Sequence, residues 1–172
     1  MAQTNNNRLK ILIISAVVLL VGGITVGVVA NLNSDSGQAG TAKLVIESTR
    51  YDFGDVSMAR GLVKKNFVLK NEGDADLKIS NISTSCMCTT VVLEIKGEKS
   101  PVFGMSGHGT NPAFWSTKLP PGQSANLEVI FDPNAHGPDA TGQITRQINF
   151  STNDDGKNNA ASALIITANV VK

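Results

Sequence analysis

Residues Asn66–Ile79 read NFVLKNEGDADLKI, and this stretch decides the fold. Phe67 and Leu69 stand two apart, and Leu77 and Ile79 repeat that spacing after the polar break Asn71-Glu72-Gly73-Asp74. Successive side chains of a strand point to opposite faces. An apolar period of two bounded by turn formers therefore predicts two half-buried antiparallel strands joined by a turn. Asn71 and Gly73 suit a turn that needs left-handed backbone angles.

The same pattern extends in both directions. Leu44 and Ile46 share a face upstream, and Cys86 to Leu93 is a run rich in Thr and Val. Ala125, Leu127, Val129 and Phe131 alternate without a break up to Asp132-Pro133-Asn134. Ahead of that run, Pro120-Pro121-Gly122 cannot join a central ladder and resets the chain. Ile144, Ile148 and Phe150 come next, then a hairpin signal at Asp155-Gly156, then Leu164, Ile166, Ala168 and Val170. No amphipathic helix interrupts this body. About seven strands with turns every 8–12 residues predict an all-β, immunoglobulin-like antiparallel β-sandwich over residues 43–172.

The segments YDFGDV (Tyr51–Val56), NFVLKNEGDADLKI (Asn66–Ile79), STSCMCTT (Ser83–Thr90), LPPGQSANLEVIFDP (Leu119–Pro133) and GQITRQINFSTND (Gly142–Asp154) occur in that order. Together they resemble the bacterial domain-of-unknown-function family 1573, whose members are similar to the ASPM/Hydin (ASH) and major-sperm-protein group. The resemblance runs from about Leu44 to Val171. It implies an immunoglobulin-like sandwich, usually exported, with no established activity. Within YDFGDV, Phe53 can plug the sandwich edge while Gly54 gives the chain a bend.

Location is read from the other end of the chain. Residues 11–30 carry no charge and are rich in Ile, Leu and Val. Twenty helical residues at about 1.5 Å each span the roughly 30 Å of a bilayer's hydrocarbon core. The leader, residues 1–10, holds Arg8 and Lys10 and no acid, so by the positive-inside rule it stays cytoplasmic and the rest is exported. The expectation is a single-pass transmembrane anchor that leaves the C-terminal domain in the periplasm or outside the cell. A cleaved signal peptide is the competing reading, with Val28 and Ala30 before the cut, but the apolar stretch exceeds the usual 7–15 residues. Gly23 and Gly27 form a small-residue pair through which two copies can pack as a homo-oligomer. Residues 31–42, polar and rich in Gly and Ser, form a flexible tether.

All 14 acidic residues follow Ala30, as do all but two of the 15 basic ones, so the exported part is nearly neutral with its charges interspersed. A nucleic-acid partner needs a basic stripe that this chain lacks.

The one constellation that carries chemistry is Cys86-Met87-Cys88, where the family form is SCGCT and Met87 departs from it. On a strand, residues i and i+2 face the same way, so both sulfurs can reach one ion. Two buried small hydrophobes, a disulfide and a soft-metal site all remain open. The disulfide needs local bending, because α-carbons two apart in a strand stand about 6.6 Å from each other. Thiolates and a thioether select Cu(I). The Gly-rich excursion between Lys96 and Lys118 contains Met105 and His108, which complete a copper shell with Cys86 and Cys88 if the loop folds over them. It also holds Phe103, Phe114 and Trp115, which either tuck against the sandwich or form a contact face for a partner. His136 follows Asp132-Pro133 in a turn and has no nearby nucleophile partner.

Two functional expectations follow. The first is a membrane-anchored, non-enzymatic interaction or structural domain of the cell envelope. It needs no cofactor and binds another envelope protein through strand edges or the 96–118 loop. The second is a copper-binding or thiol-redox protein acting through Cys86 and Cys88. An enzyme is the weaker third, since the acids, bases and nucleophiles it needs are not clustered along the chain.

Overall fold

The structure, a computed structural model, describes residues 40–109, 111–157 and 160–172. The expected leader, the anchor at 11–30 and most of the tether lie outside the described residues.

The body is a sandwich of two five-stranded sheets. One sheet takes the order β1 (Leu44–Ile46), β3 (Val63–Asn71), β8 (Ser124–Phe131), β5 (Thr89–Ile95) and β6 (Glu98–Lys99). The other takes β2 (Arg50–Ser57), β10 (Ala160–Val171), β9 (Gly142–Thr152), β4 (Leu77–Thr84) and β7 (Ser116–Leu119). The alternation seen in the sequence becomes the core. Phe67, Leu69, Leu127, Val129 and Phe131 face inward from one sheet, and Leu77, Ile79, Ile148, Leu164 and Ile166 from the other. Each such side chain removed from water stabilises the fold by about 1.5–3 kcal/mol before the entropy of ordering is counted.

The all-antiparallel expectation needs one correction, because β2 pairs parallel to β10, with Ile165 opposite Arg50. The segment RYDFGDVS buries only Val56, so it lacks the two-residue period that marks a strand in sequence. Its register slips between Thr167 and Asn169, and Gly54 supplies the positive φ of 65° at this bulge. Phe53 packs against the core there and meets Tyr51 edge-on. The two short edge strands β6 and β7 also leave little trace in the sequence.

The turn after β3 has the expected place but a different cause. Neither Asn71 nor Gly73 has a positive φ. A Cβ on Gly73 would lie 2.1 Å from the Thr41 carbonyl oxygen, so glycine is needed for close approach. Asn71 is fully buried and ties four backbone groups together. Its amide donates to the carbonyls of Ala75 at 2.8 Å and Leu119 at 2.9 Å, and its Oδ1 accepts from the N–H of Lys43 and Gly73.

Candidate functional site

The site begins with a fault in β4. Its pairing with β9 slips between Ser80 and Ser83, and Asn81 sits at φ 54°, a conformation Asn tolerates better than most residues. The extra residue reverses the strand's phase. Leu77 and Ile79 face inward before the bulge, and Ile82 and Thr84 face inward after it. The buried Thr84 hydroxyl then lies 2.9 Å from the carbonyl oxygens of both Cys86 and Thr89. Cys86, Met87 and Cys88 therefore form a tight turn between β4 and β5, closed by Thr89 N–H donating to Cys86 O at 3.1 Å. This corrects the expectation that the cysteines lie on a strand.

The turn brings the sulfurs together more closely than a strand could. Both thiols are free, and the Cys88 thiol is turned toward Cys86 Sγ with the two sulfurs 2.6 Å apart. Two residues distant in sequence complete the group. His136 Nε2 is 3.1 Å from Cys86 Sγ, and the Arg146 guanidinium donates through Nε to Cys88 Sγ at 3.0 Å. Sγ of Cys86, Sγ of Cys88 and a ring nitrogen of His136 all lie within 4.8 Å of one another. Cys86 is half-buried and Cys88 is buried at 2% exposure, so the first sulfur is the one a partner can reach. His136 and Arg146 also line a hollow of about 310 Å³, walled by Phe131, Ile144 and Val170.

The electrostatics of the two thiols diverge. Burial pushes the Cys86 thiol up. Donation from the Cys88 thiol and backbone N–H, the His136 contact and the Arg146 charge outweigh this and bring it down to about 7. Cys88 moves above the ordinary thiol range, because it is more deeply buried and spends its proton on Cys86. Burial disfavours the Arg146 charge, but the two sulfurs more than offset this and strengthen it.

Met105 bridges to Thr84 beside the turn, and the group within 4.8 Å of both sulfurs holds His136 and not His108. Met105 and His108 line a surface hollow of about 340 Å³ with Met87 and Val102, and His136 is the histidine beside Cys86. Phe103 is 2% exposed and bridges to Val91 of β5, so it serves the core and cannot act as a surface contact. Trp115 packs against it edge-on with ring centroids 4.9 Å apart. Of the three aromatics of the excursion, Phe114 alone points into solvent.

Arg146 carries a signal in the sequence that local pattern alone does not resolve. Ile144, Arg146, Ile148 and Phe150 share one phase of β9, and Arg146 pairs opposite the fully buried Ile166. A cation at an inward position calls for a partner inside, and that partner is Cys88. The expectation that His136 has no nucleophile partner is corrected by its contact with Cys86, which no local pattern signals because it spans 50 residues of chain.

Fold and site together define an immunoglobulin-like sandwich with a paired-cysteine turn at one sheet-to-sheet crossing. Residues 44–102 match the model of a family described as "Protein of unknown function (DUF1573)", so the resemblance read from the sequence holds over that span, β1 to β6. No curated protein matches the chain. A protein of unknown function from Porphyromonas gingivalis W83 is similar in fold, with a TM-score of 0.56 at 18% identity over 80% of this chain and 51% of its own. The chain thus spans about half the length of that protein. The ASH/PapD-like domain of human CEP192 is more distant, at a TM-score of 0.46 and 12% identity, covering 77% of this chain and 87% of that one. The Escherichia coli chaperone DraB stands at 0.45 and 11%, covering 74% of this chain and 54% of its own.

Proposed function

We propose that this chain is a membrane-anchored, non-enzymatic binding domain held outside the cytoplasmic membrane, and that it contacts another envelope protein through the tip of the loop between β6 and β7. The anchor rests on the uncharged stretch at 11–30 behind a basic leader. Binding rests on Phe114, a large apolar side chain that is 103% exposed. Its backbone is left-handed, at φ 59°, which costs a residue with a Cβ on the order of 1–2 kcal/mol. Phe103 and Trp115 pin the two ends of the loop into the core, and the Asn111 side chain exchanges hydrogen bonds of 2.7 and 2.9 Å with the backbone of Gly104. A left-handed backbone that holds an aromatic side chain in water is suited to burying that ring in a partner.

The test is affinity capture of the intact chain from native membranes, comparing the natural sequence with Phe114→Asp. The reading expects one stoichiometric companion, retained by the natural chain and lost by the variant, with the variant's thermal unfolding unchanged. Identical companions for both chains would overturn it.

A further inference from the structure

We propose that Cys86 and Cys88 are a reversible dithiol–disulfide pair that exchanges with a disulfide of a partner protein, Cys86 attacking and Cys88 resolving. Four features of the geometry support this. The sulfurs are 2.6 Å apart, about half an ångström beyond the length of a sulfur–sulfur bond, so the turn closes a bridge with little movement. The more exposed sulfur belongs to Cys86, and the better shielded one stands behind it, as attack and resolution require. Cys86 meets His136 and Cys88 meets Arg146, so each sulfur has a nitrogen donor able to hold it as a thiolate. The Thr84 hydroxyl and the Asp132 N–H, the latter donating to Cys88 O at 2.8 Å, fix the turn's backbone so that only the sulfurs need to move.

The exchange balances as follows. The Cys86 thiolate attacks one sulfur of the partner disulfide. A Cys86–partner bond forms, the partner's own bond breaks, and the leaving thiolate takes a proton. Cys88 gives its proton to the first leaving thiolate through solvent, and its own thiolate, held by the Arg146 charge, then attacks Cys86 Sγ. The mixed disulfide breaks, the Cys86–Cys88 bond forms, and the second partner thiolate leaves and is protonated. The partner gains two electrons and two protons, and the pair loses the same. A second dithiol reverses the reaction and resets the pair, so the event is stoichiometric for each domain.

A copper or zinc shell fits this arrangement less well. Two thiolates bound to one tetrahedral ion at about 2.3 Å stand roughly 3.8 Å apart, well beyond the separation found here. The lowered titration of Cys86 agrees with its role as attacker.

The chain contains no other cysteine, so counting its thiols reads the pair directly. The full chain in detergent is equilibrated with graded mixtures of reduced and oxidised glutathione, quenched with a maleimide and weighed. The proposal expects a two-electron transition between two labels and none, with no covalent dimer at any ratio. A disulfide-bonded peptide added to Cys88→Ser should become trapped on Cys86, whereas Cys86→Ser should trap none. Arg146→Gln should prolong the mixed disulfide of the otherwise natural chain. Circular dichroism melts check that each variant is folded. Thiols that stay fully labelled across the series, oxidation seen only as a covalent dimer, or protection by stoichiometric copper or zinc would each overturn the proposal.

Discussion

Removing the Cys88 thiol should shift the titration of Cys86 upward, and the direction follows from which atom donates. In the natural turn the Cys88 thiol is turned toward Cys86 Sγ, and a donor aimed at a thiolate favours the charged form. With that donor, the weaker Cys88 N–H contact at 3.4 Å, His136 and Arg146 in place, Cys86 titrates at about 7 despite its burial. Cys88→Ala removes the first donor and leaves the other three groups that face the sulfur. A hydrogen bond to a charged acceptor is worth about 1.5–3 kcal/mol, and one pKa unit corresponds to about 1.4 kcal/mol, so the midpoint should rise by about one unit or more. Alkylation by iodoacetamide, followed from pH 5 to pH 10 in the reduced chain, measures it. The midpoint of the profile is the quantity to compare, because a less acidic thiolate is intrinsically a better nucleophile and partly offsets the loss in rate. A midpoint that stays near 7 after Cys88→Ala would show that the Cys88 proton does not hold the Cys86 thiolate, and the reasoning about the pair would fail.

Other expectations concern the frame that holds the turn and loop. Phe103→Ala opens a cavity under the loop and strips Trp115 of its ring partner, so denaturant titration should show a loss of about 3–5 kcal/mol. Asn71→Ala leaves the buried carbonyl of Leu119 and the N–H of Gly73 without partners, and the same titration should register a loss of about 2–4 kcal/mol. Gly73→Ala, although a small change, forces a methyl against the Thr41 carbonyl and should lower the melting temperature, whereas Gly54→Ala at the β2 bulge meets only open space and backbone strain.

The parts of this molecule that were readable in its sequence are those set by local period. The strands built on Phe67/Leu69, Leu77/Ile79, Ala125–Phe131 and Leu164–Val170 each bury every second residue, and the two-layer core follows from that alone. What was not readable depends on a break in period or on contacts across the chain. The bulge at Asn81 shifts β4 by one residue, and that shift moves the Cys-x-Cys segment from a strand to a turn. The parallel pairing of β2 is an edge event with one buried side chain, too little for a pattern. His136 reaches Cys86 only because the β8–β9 connection passes the β4–β5 turn. Arg146 was legible in principle, as an arginine standing in an apolar phase, but its partner could be named only from the fold.

A photocrosslinking amino acid placed at position 114 of the full chain in living cells tests the binding claim most directly, with one at the exposed Lys78 as the comparison. If Phe114 seats in a partner, illumination should give one discrete adduct from position 114 and none from position 78. Absence of any adduct at 114, or the same products from both positions, would contradict it.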